Sequence, residues 1–302
     1  MTTVLVLGGG PDAERDVSLK SAAGVADALR QSGTFSVEAR TIDRLTLDSL
    51  RALPGDVVFP VLHGAFGEGG PLQDLLELDG RPYVGCRPRA ARLAMDKLAT
   101  KLAALAAAIP TADACVLNPK DDHSPVGVPA VVKPVHDGSS VGLHICPDLS
   151  AWNRARAAVA DDQKKNPGRA YLVERYIAGK ELTVGLLDGK ALPLIHIAPA
   201  HGVYDYEAKY ARDDTRYILD PDLPGNLAST IKGYAERLFA ALGARHVSRA
   251  DFILDHDDRP WLLEINTMPG FTSHSLVPKA AAHAGIPMPN LCARLVDMAL
   301  RA

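Results

Sequence analysis

The sequence predicts an α/β protein, with a parallel-sheet domain at the N-terminus followed by α+β lobes. Short β-branched and aliphatic runs alternate with helix-period segments over the first 60 residues. Two apolar-alternating runs near the C-terminus flank the polar turn His256-Asp257-Asp258-Arg259. The length, 302 residues, exceeds a single core at roughly 150 residues per domain.

In chain order, Val4 to Leu7 is a first strand, closed by Gly8-Gly9-Gly10. Ala22, Val25, Ala26 and Leu29 then share one helix face, and Gly33 ends that helix. Val37 to Ile42 and Val57 to Leu62 read as further strands, so the opening is βαβ and its sheet parallel. A helical stretch from Arg89 to Ile109 places Leu98, Leu102, Leu105 and Ile109 on one face and stops at Pro110. Residues 118–129 are loop. Ala130 to Lys133, Tyr171 to Arg175 and Glu181 to Leu187 read as strands, with the polar loop 136–142 after the first. Residues 201–222 lack a regular period and read as a functional loop. Asn226 caps a helix carrying Leu227, Ile231, Tyr234 and Leu238, which Gly243 ends. Strands 250–255 and 260–266 follow, then a last helix with Leu291, Leu295, Val296 and Ala299.

Composition narrows the function classes. Hydrophobic residues are 47% and charged residues 23%, which excludes a disordered chain. A net charge of −3 and a pI of 6.4 argue against nucleic-acid binding, which needs a basic surface. Apolar runs fall short of the ~20 residues of a membrane span, and the N-terminus has no signal-peptide pattern. Cys86, Cys115, Cys146 and Cys292 are too scattered for a zinc knuckle or redox pair and suit a cytoplasmic protein.

Several groups carry chemistry. Gly8, Gly10 and Ala13 satisfy G-x-G-x-x-A between strand and helix, a dinucleotide fingerprint that a tight packing turn would mimic equally well. Asp43 comes late for its ribose acid. Glu14, at the helix start, is either a dipole-stabilised charge or a carboxylate aimed at an ammonium. In the C-terminal hairpin, a turn centred between Asp257 and Asp258 sets Asp251 opposite Glu264 and Arg249 opposite Asn266. Opposed carboxylates repel, and a hard cation removes that cost. Two carboxylates and an amide oxygen suit Mg²⁺. The same register puts Phe252, Leu254, Leu263 and Ile265 in the core and leaves Ile253 and Leu262 on the charged face. Lys133 ends a buried strand and needs a partner, and 138–142 is small enough for backbone N–H groups to approach phosphate. Lys97, by residue type alone, reads as a solvated lysine. His63 ends a parallel strand, where α/β sheets bind ligands.

Taken together, GGGPDAERDVSLKS (8–21), HGAFGEGGPLQ (63–73), MDKLATK (95–101), VVKPVHDGSSVG (131–142), YDYEAKY (204–210) and LLEINTMPGFTSHSLVP (262–278) resemble the D-alanine–D-alanine ligases of the ATP-grasp superfamily, over essentially the whole chain. The resemblance implies an ATP-grasp fold with an N-terminal Rossmann-like parallel-sheet domain. It divides the chain into lobes 1–88, 89–178 and 179–302. It implies ligation of two D-alanines through an acyl phosphate for peptidoglycan precursors, with ATP as substrate, two Mg²⁺ ions (or Mn²⁺), and a homodimer. By motif, Glu14 and His63 would meet the first substrate, with Ser139 and Tyr210 linked to Glu14. Lys97, Lys133 and Lys209 would contact phosphates, and Glu174, Tyr176, Ile177 and Glu181 would frame adenine and ribose. Asp251, Glu264 and Asn266 would hold metal, Arg249 and Gly270 would stabilise an oxyanion, and Ser275 and Leu276 would receive the second substrate. Residues 201–216 resemble a closing loop. The chain departs from the family pattern at Pro11-Asp12, Gly69, Asp74 and Tyr176.

Two other classes compete: an NAD-dependent oxidoreductase built on the glycine turn, which leaves the carboxylate hairpin unexplained, and a non-catalytic nucleotide-binding module. A D-lactate or D-serine variant of the same ligase is the nearest alternative.

Overall fold

The computed structural model describes residues 1–138, 141–199 and 214–302, which build three sheets. In the first, β1 (Thr3–Gly9), β2 (Ser36–Ile42) and β3 (Val57–Pro60) run parallel in the order β2-β1-β3. Val4 to Leu7 are fully buried, as a parallel strand covered on both faces must be. Helix α1 (Arg15–Ser32) makes the crossover, burying Ala22, Val25, Ala26 and Leu29, and Gly33 ends it in the left-handed conformation at φ 67°. The glycine turn is a packing device. Gly9 sits at φ +103°, where a Cβ would collide with the Ile42 carbonyl, and a Cβ on Gly8 would overlap that of Ala22. Asp43 is spent on Arg15, 2.6 Å away. Short helices α2 (Leu47–Arg51), α3 (Gly64–Gly67) and α4 (Pro71–Asp79) complete this part.

The second sheet is antiparallel, β4-β7-β5-β6, from β4 (Ala114–Val116), β5 (Ala130–Pro134), β6 (His144–Cys146) and β7 (Tyr171–Arg175). Asp148 caps α7 (Leu149–Lys165) by accepting from the Ala151 amide at 2.8 Å. That helix lays Trp152, Ala155 and Val159 on Ala130, Val132 and Cys146, a core separate from the others. The third sheet, β10-β9-β8-β11-β12, is also antiparallel. It comprises β8 (Gly179–Leu187), β9 (Lys190–Ala198), β10 (Arg216–Leu219), β11 (Val247–Asp255) and β12 (Pro260–Asn266). Thus part of the stretch expected to be irregular, 216–219, is a strand: its backbone completes the open edge of β9. Helices α8 (Leu227–Leu242), α9 (Leu276–His283) and α10 (Met288–Leu300) pack around this sheet.

The helical stretch expected over 89–109 is two helices, α5 (Pro88–Met95) and α6 (Lys97–Ala106). Asp96 breaks it, extended in backbone and accepting from Leu98 and Ala99 amides at 2.9 and 3.0 Å. The buried face also differs from the expected one. Leu102 and Leu105 are 68% and 60% exposed, whereas Lys97, Thr100, Lys101 and Ala104 are buried. The lysines find acceptors inside, and that outweighs the leucine periodicity. Ala94, Ala104 and Ile109 join the core beneath the third sheet, with Leu182, Leu238, Phe252 and Leu262.

One core runs through the first and third sheets alike. Val4, Val6, Val25, Leu29 and Phe59 pack in the same cluster as Ile195, Val247, Phe271, Val277, Leu291 and Leu295. Phe271 meets Phe59 edge-on, with ring centroids 5.6 Å apart and planes at 88°. Among the described residues no helix is long and apolar enough to cross a membrane. Truncating Phe271→Ala should destabilise the chain by about 3–5 kcal/mol, measured by urea unfolding, because the void would open between two sheets that close on each other. A loss under ~1 kcal/mol would contradict this shared core.

Candidate active site

The hairpin of β11 and β12 pairs Arg249 with Asn266 and Asp251 with Glu264, as the sequence register requires. Beyond that point the expected register changes. Phe252 pairs with Leu262, so Leu263 is an inserted residue, a β-bulge. Leu262 therefore enters the core, and Leu263 faces a cavity beside Ile253 and Trp261, the reverse of the sequence expectation.

Asp251 is only 4% exposed. Arg249 donates to both of its oxygens, from Nε at 2.9 Å and from a terminal nitrogen at 2.8 Å, and Thr183 Oγ1 donates at 2.6 Å. Glu264 lies 3.8 Å from Lys97 Nζ. Asn266 Oδ1 accepts from the Met268 amide at 2.9 Å. Opposed carboxylates with an amide oxygen one step along are a donor set that fits a hard divalent cation, and Arg249 and Lys97 balance its charge. Among the described residues no three His, Cys, Asp or Glu side chains converge, so Asn266 would have to supply the third protein oxygen.

The cavity beside this hairpin has a volume of about 280 Å³ and opens between the second and third sheets. Lys97, Lys133, Glu174, Tyr176, Ile177, Glu181, Asp251 and Glu264 all line it, under an apolar roof that includes Val131, Leu143 and Ile145. Both lysines are buried. Lys97 Nζ donates to the Asp137 carbonyl at 2.5 Å, and Lys133 Nζ is 2.6 Å from Glu174 Oε1. The solvated lysine that residue type suggests at 97 is absent, since the helix start turns it inward. Burial pushes the Lys97 ammonium down, with Glu264 opposing that effect. Glu174 faces two ammonium groups, because Lys101 Nζ stands 2.8 Å from Oε2. Burial works to raise its carboxyl, yet Lys133 and Lys101 outweigh it and hold Glu174 below the usual range.

The remaining residues gather at the seam of the first and third sheets. Glu14 stands at the start of α1, and a Cβ on Gly138 would come 3.4 Å from its Oε2, so the loop after β5 reaches it. His63 Nδ1 donates to the Met268 carbonyl at 3.0 Å, and buried Nε2 has no partner among the described residues. Burial lowers the His63 pKa. Ser275 Oγ accepts from the Thr272 amide at 2.9 Å just before α9, which begins at Leu276. A Cβ on Gly270 would lie 2.7 Å from that Oγ, so a side chain there would displace the Ser275 hydroxyl. Ser139, Lys209 and Tyr210 lie outside the described residues, as does most of 201–216.

Residues 43–86 match a model described as D-ala D-ala ligase N-terminus, and 111–297 one described as D-ala D-ala ligase C-terminus. The chain belongs to the D-alanine–D-alanine ligase family. A ligase of that name from Bordetella petrii is 44% identical over 97% of this chain and 91% of its own, and one from an Anaeromyxobacter species 43% over 97% and 96%. The crystal structure of a D-alanine–D-alanine ligase from Bacillus anthracis superposes with a TM-score of 0.86 at 30% identity, covering 100% of this chain and 98% of that one. A second structure of that protein, complexed with ATP, gives 0.83 at 27%. The fold is thus that of the ATP-grasp ligases.

Where this chain departs from the family pattern, the structure supplies reasons. Asp12 Oδ2 accepts from the Phe66 amide at 2.8 Å, tying the first loop to the loop after His63. A side chain at Gly69 would collide with the Ala65 carbonyl oxygen. Asp74 is taken up by Arg92. Nothing in the structure explains Tyr176 in place of tryptophan.

Three buried residues here escaped the sequence reading: Thr183, Lys101 and Glu68. The last accepts from the Gly64 amide at 3.2 Å and the Met268 amide at 3.3 Å, bridging the first lobe to the Asn266–Gly270 turn. Its place in HGAFGEGG was the available signal. Burial, then the Glu14 charge, push its carboxyl up to about 8 against those two donors. The folded chain thus keeps a proton there where the unfolded chain, with its ordinary carboxyl, has released it, so this group's contribution to stability falls as pH rises from about 5 to 8. Glu68→Gln should flatten that part of the profile, read as thermal midpoints across the range. An unchanged slope would contradict the raised carboxyl.

Proposed function

We propose that the chain is an ATP-dependent ligase that joins two D-alanines into D-alanyl-D-alanine for peptidoglycan precursors, working in the cytoplasm as a homodimer. The observation that carries this is one cavity holding two inward lysines and two opposed carboxylates, next to a seam that presents Glu14, His63 and Gly270. The lobes are 1–88, 89–178 and 179–302.

Tyr176, Ile177, Glu181 and Glu174 frame the adenine and ribose of ATP, the apolar roof excluding water above them. Lys97 and Lys133, joined by Lys209, point ammonium groups at the phosphates and offset the charge that moves as the γ-phosphoryl leaves ADP for a carboxylate oxygen of the first D-alanine. Asp251, Glu264 and Asn266 are the residues to hold two Mg²⁺ ions, Mn²⁺ serving as well, which when bound neutralise phosphate charge. Glu14 anchors the first ammonium, with His63 beside it, and the family resemblance assigns Ser139 and Tyr210, outside the described residues, to the same site. Ser275 and the start of α9 at Leu276 receive the second carboxylate. The second amine attacks the acyl phosphate carbon. Arg249 and the Gly270 N–H stabilise the resulting oxyanion, which collapses with loss of inorganic phosphate. The family resemblance assigns to residues 201–216, most of them outside the described residues, the exclusion of water from the acyl phosphate.

Phosphate release from ATP and Mg²⁺ should rise sharply on adding D-alanine. Release that ignores D-alanine would overturn the assignment, and preferential D-lactate incorporation at neutral pH would replace it with the depsipeptide variant. Glu264→Gln should lower turnover at least about a hundredfold while leaving the unfolding midpoint near that of the parent chain. Near-normal turnover would remove Glu264 from the metal site.

A further inference from the structure

Helix α6 turns Leu102 and Leu105 to solvent and both its lysines inward. Lys97 lines the cavity, but Lys101, one turn later, does not. Its ammonium sits behind the wall, with Thr111 Oγ1 at 2.8 Å, the Ala112 carbonyl at 3.0 Å and Glu174 Oε2 at 2.8 Å. The ammonium thus has two hydrogen bonds and one ion pair, the last to an oxygen that has no hydrogen bond of its own among the described residues. Thr111 Oγ1 donates its own hydrogen bond to the Leu262 carbonyl at 3.0 Å, so the group also pins the segment leading into β4 to β12. The other Glu174 oxygen belongs to Lys133, at 2.6 Å.

A buried carboxylate with one cation cannot release it cheaply, because the charge left behind is neither paired nor hydrated. We propose that Lys101 is a positioning residue for the nucleotide cavity, keeping Glu174 paired and oriented so that Lys133 can leave it for a phosphate. Lys133 is the one of the pair that lines the cavity, and only its move is productive. Lys101 has no path to a ligand and every reason to stay. Of the two lysines paired with Glu174, an arriving phosphate draws the one that lines the cavity, Lys133. This assignment rests on the cavity taking ATP as proposed above.

The test is steady-state kinetics of Lys101→Met, which keeps length and removes charge. The expected result is a KM for ATP raised at least about tenfold, with the KM for D-alanine within about twofold of the parent value. A folded variant with a parental ATP KM would overturn the proposal, as would equal rises in both constants. If Lys101→Met does not fold, Glu174→Gln is compared with Glu174→Gln/Lys101→Met. Without the carboxylate Lys101 has nothing to hold, so the two should share one ATP KM within about threefold. A further tenfold rise would overturn it. Failure of the ligase assignment looks different: the parent enzyme itself would release no phosphate in response to D-alanine.

Discussion

The turn from Thr267 to Phe271 is where the three-sheet chain is made into one device. Its Phe271 ring is sunk against Phe59 in the first lobe, and its Phe271 amide donates to Ser21. Its Met268 backbone is held from both ends by first-lobe side chains, His63 at the carbonyl and Glu68 at the amide. Gly270 is therefore placed by residues more than 200 positions earlier in the chain. Loosening any of these anchors moves Asn266 and the Gly270 N–H together, since Asn266 is bonded to the same Met268 amide. Packing and polar contacts act in series here, and neither alone would orient the donor.

Charge in the cleft follows a second constraint. Cations and anions alternate, most of them buried: Lys101 behind one wall, Glu174 and Lys133 in it, then Lys97 facing Glu264, and Asp251 with Arg249 beside it on the same hairpin. No single pair is favourable enough to justify its burial, because desolvation offsets most of the attraction. Strung together, they form a pre-set field that can accept a polyanion by rearranging partners instead of ordering new ones. The near-neutral charge of the whole chain conceals this separation.

Much of this was legible in the residues. The βαβ opening and the strand from Tyr171 to Arg175 follow from short β-branched and aliphatic runs bounded by turn residues, and the Asp251–Glu264 pairing follows from the position of the turn between the two strands. The bulge at Leu263 was not, because an inserted residue leaves no trace in a pattern of apolar residues on both faces. The buried face of α6 misled for a related reason. Periodicity reports where apolar residues fall, while Lys97 and Lys101 are buried by acceptors contributed from Asp137, Thr111 and Glu174, none of them adjacent in sequence. Strands β4 and β6 were too short to register. Glu68 sat within a quoted motif, but only the fold discloses that its partner is the Met268 amide.

The core common to the first and third sheets has a further consequence for how the chain is made. Helix α1 packs on α10, the last helix, across more than 250 residues of sequence. The first sheet and α1 therefore emerge from the ribosome with Val25 and Leu29 lacking the partners that Leu291 and Leu295 supply later, although Val4, Val6 and Phe59 are already present. The central sheet, whose core is its own, has no such wait. Vectorial synthesis should thus complete the middle of this protein before its beginning, and leave an apolar face in need of protection for most of the time that translation takes.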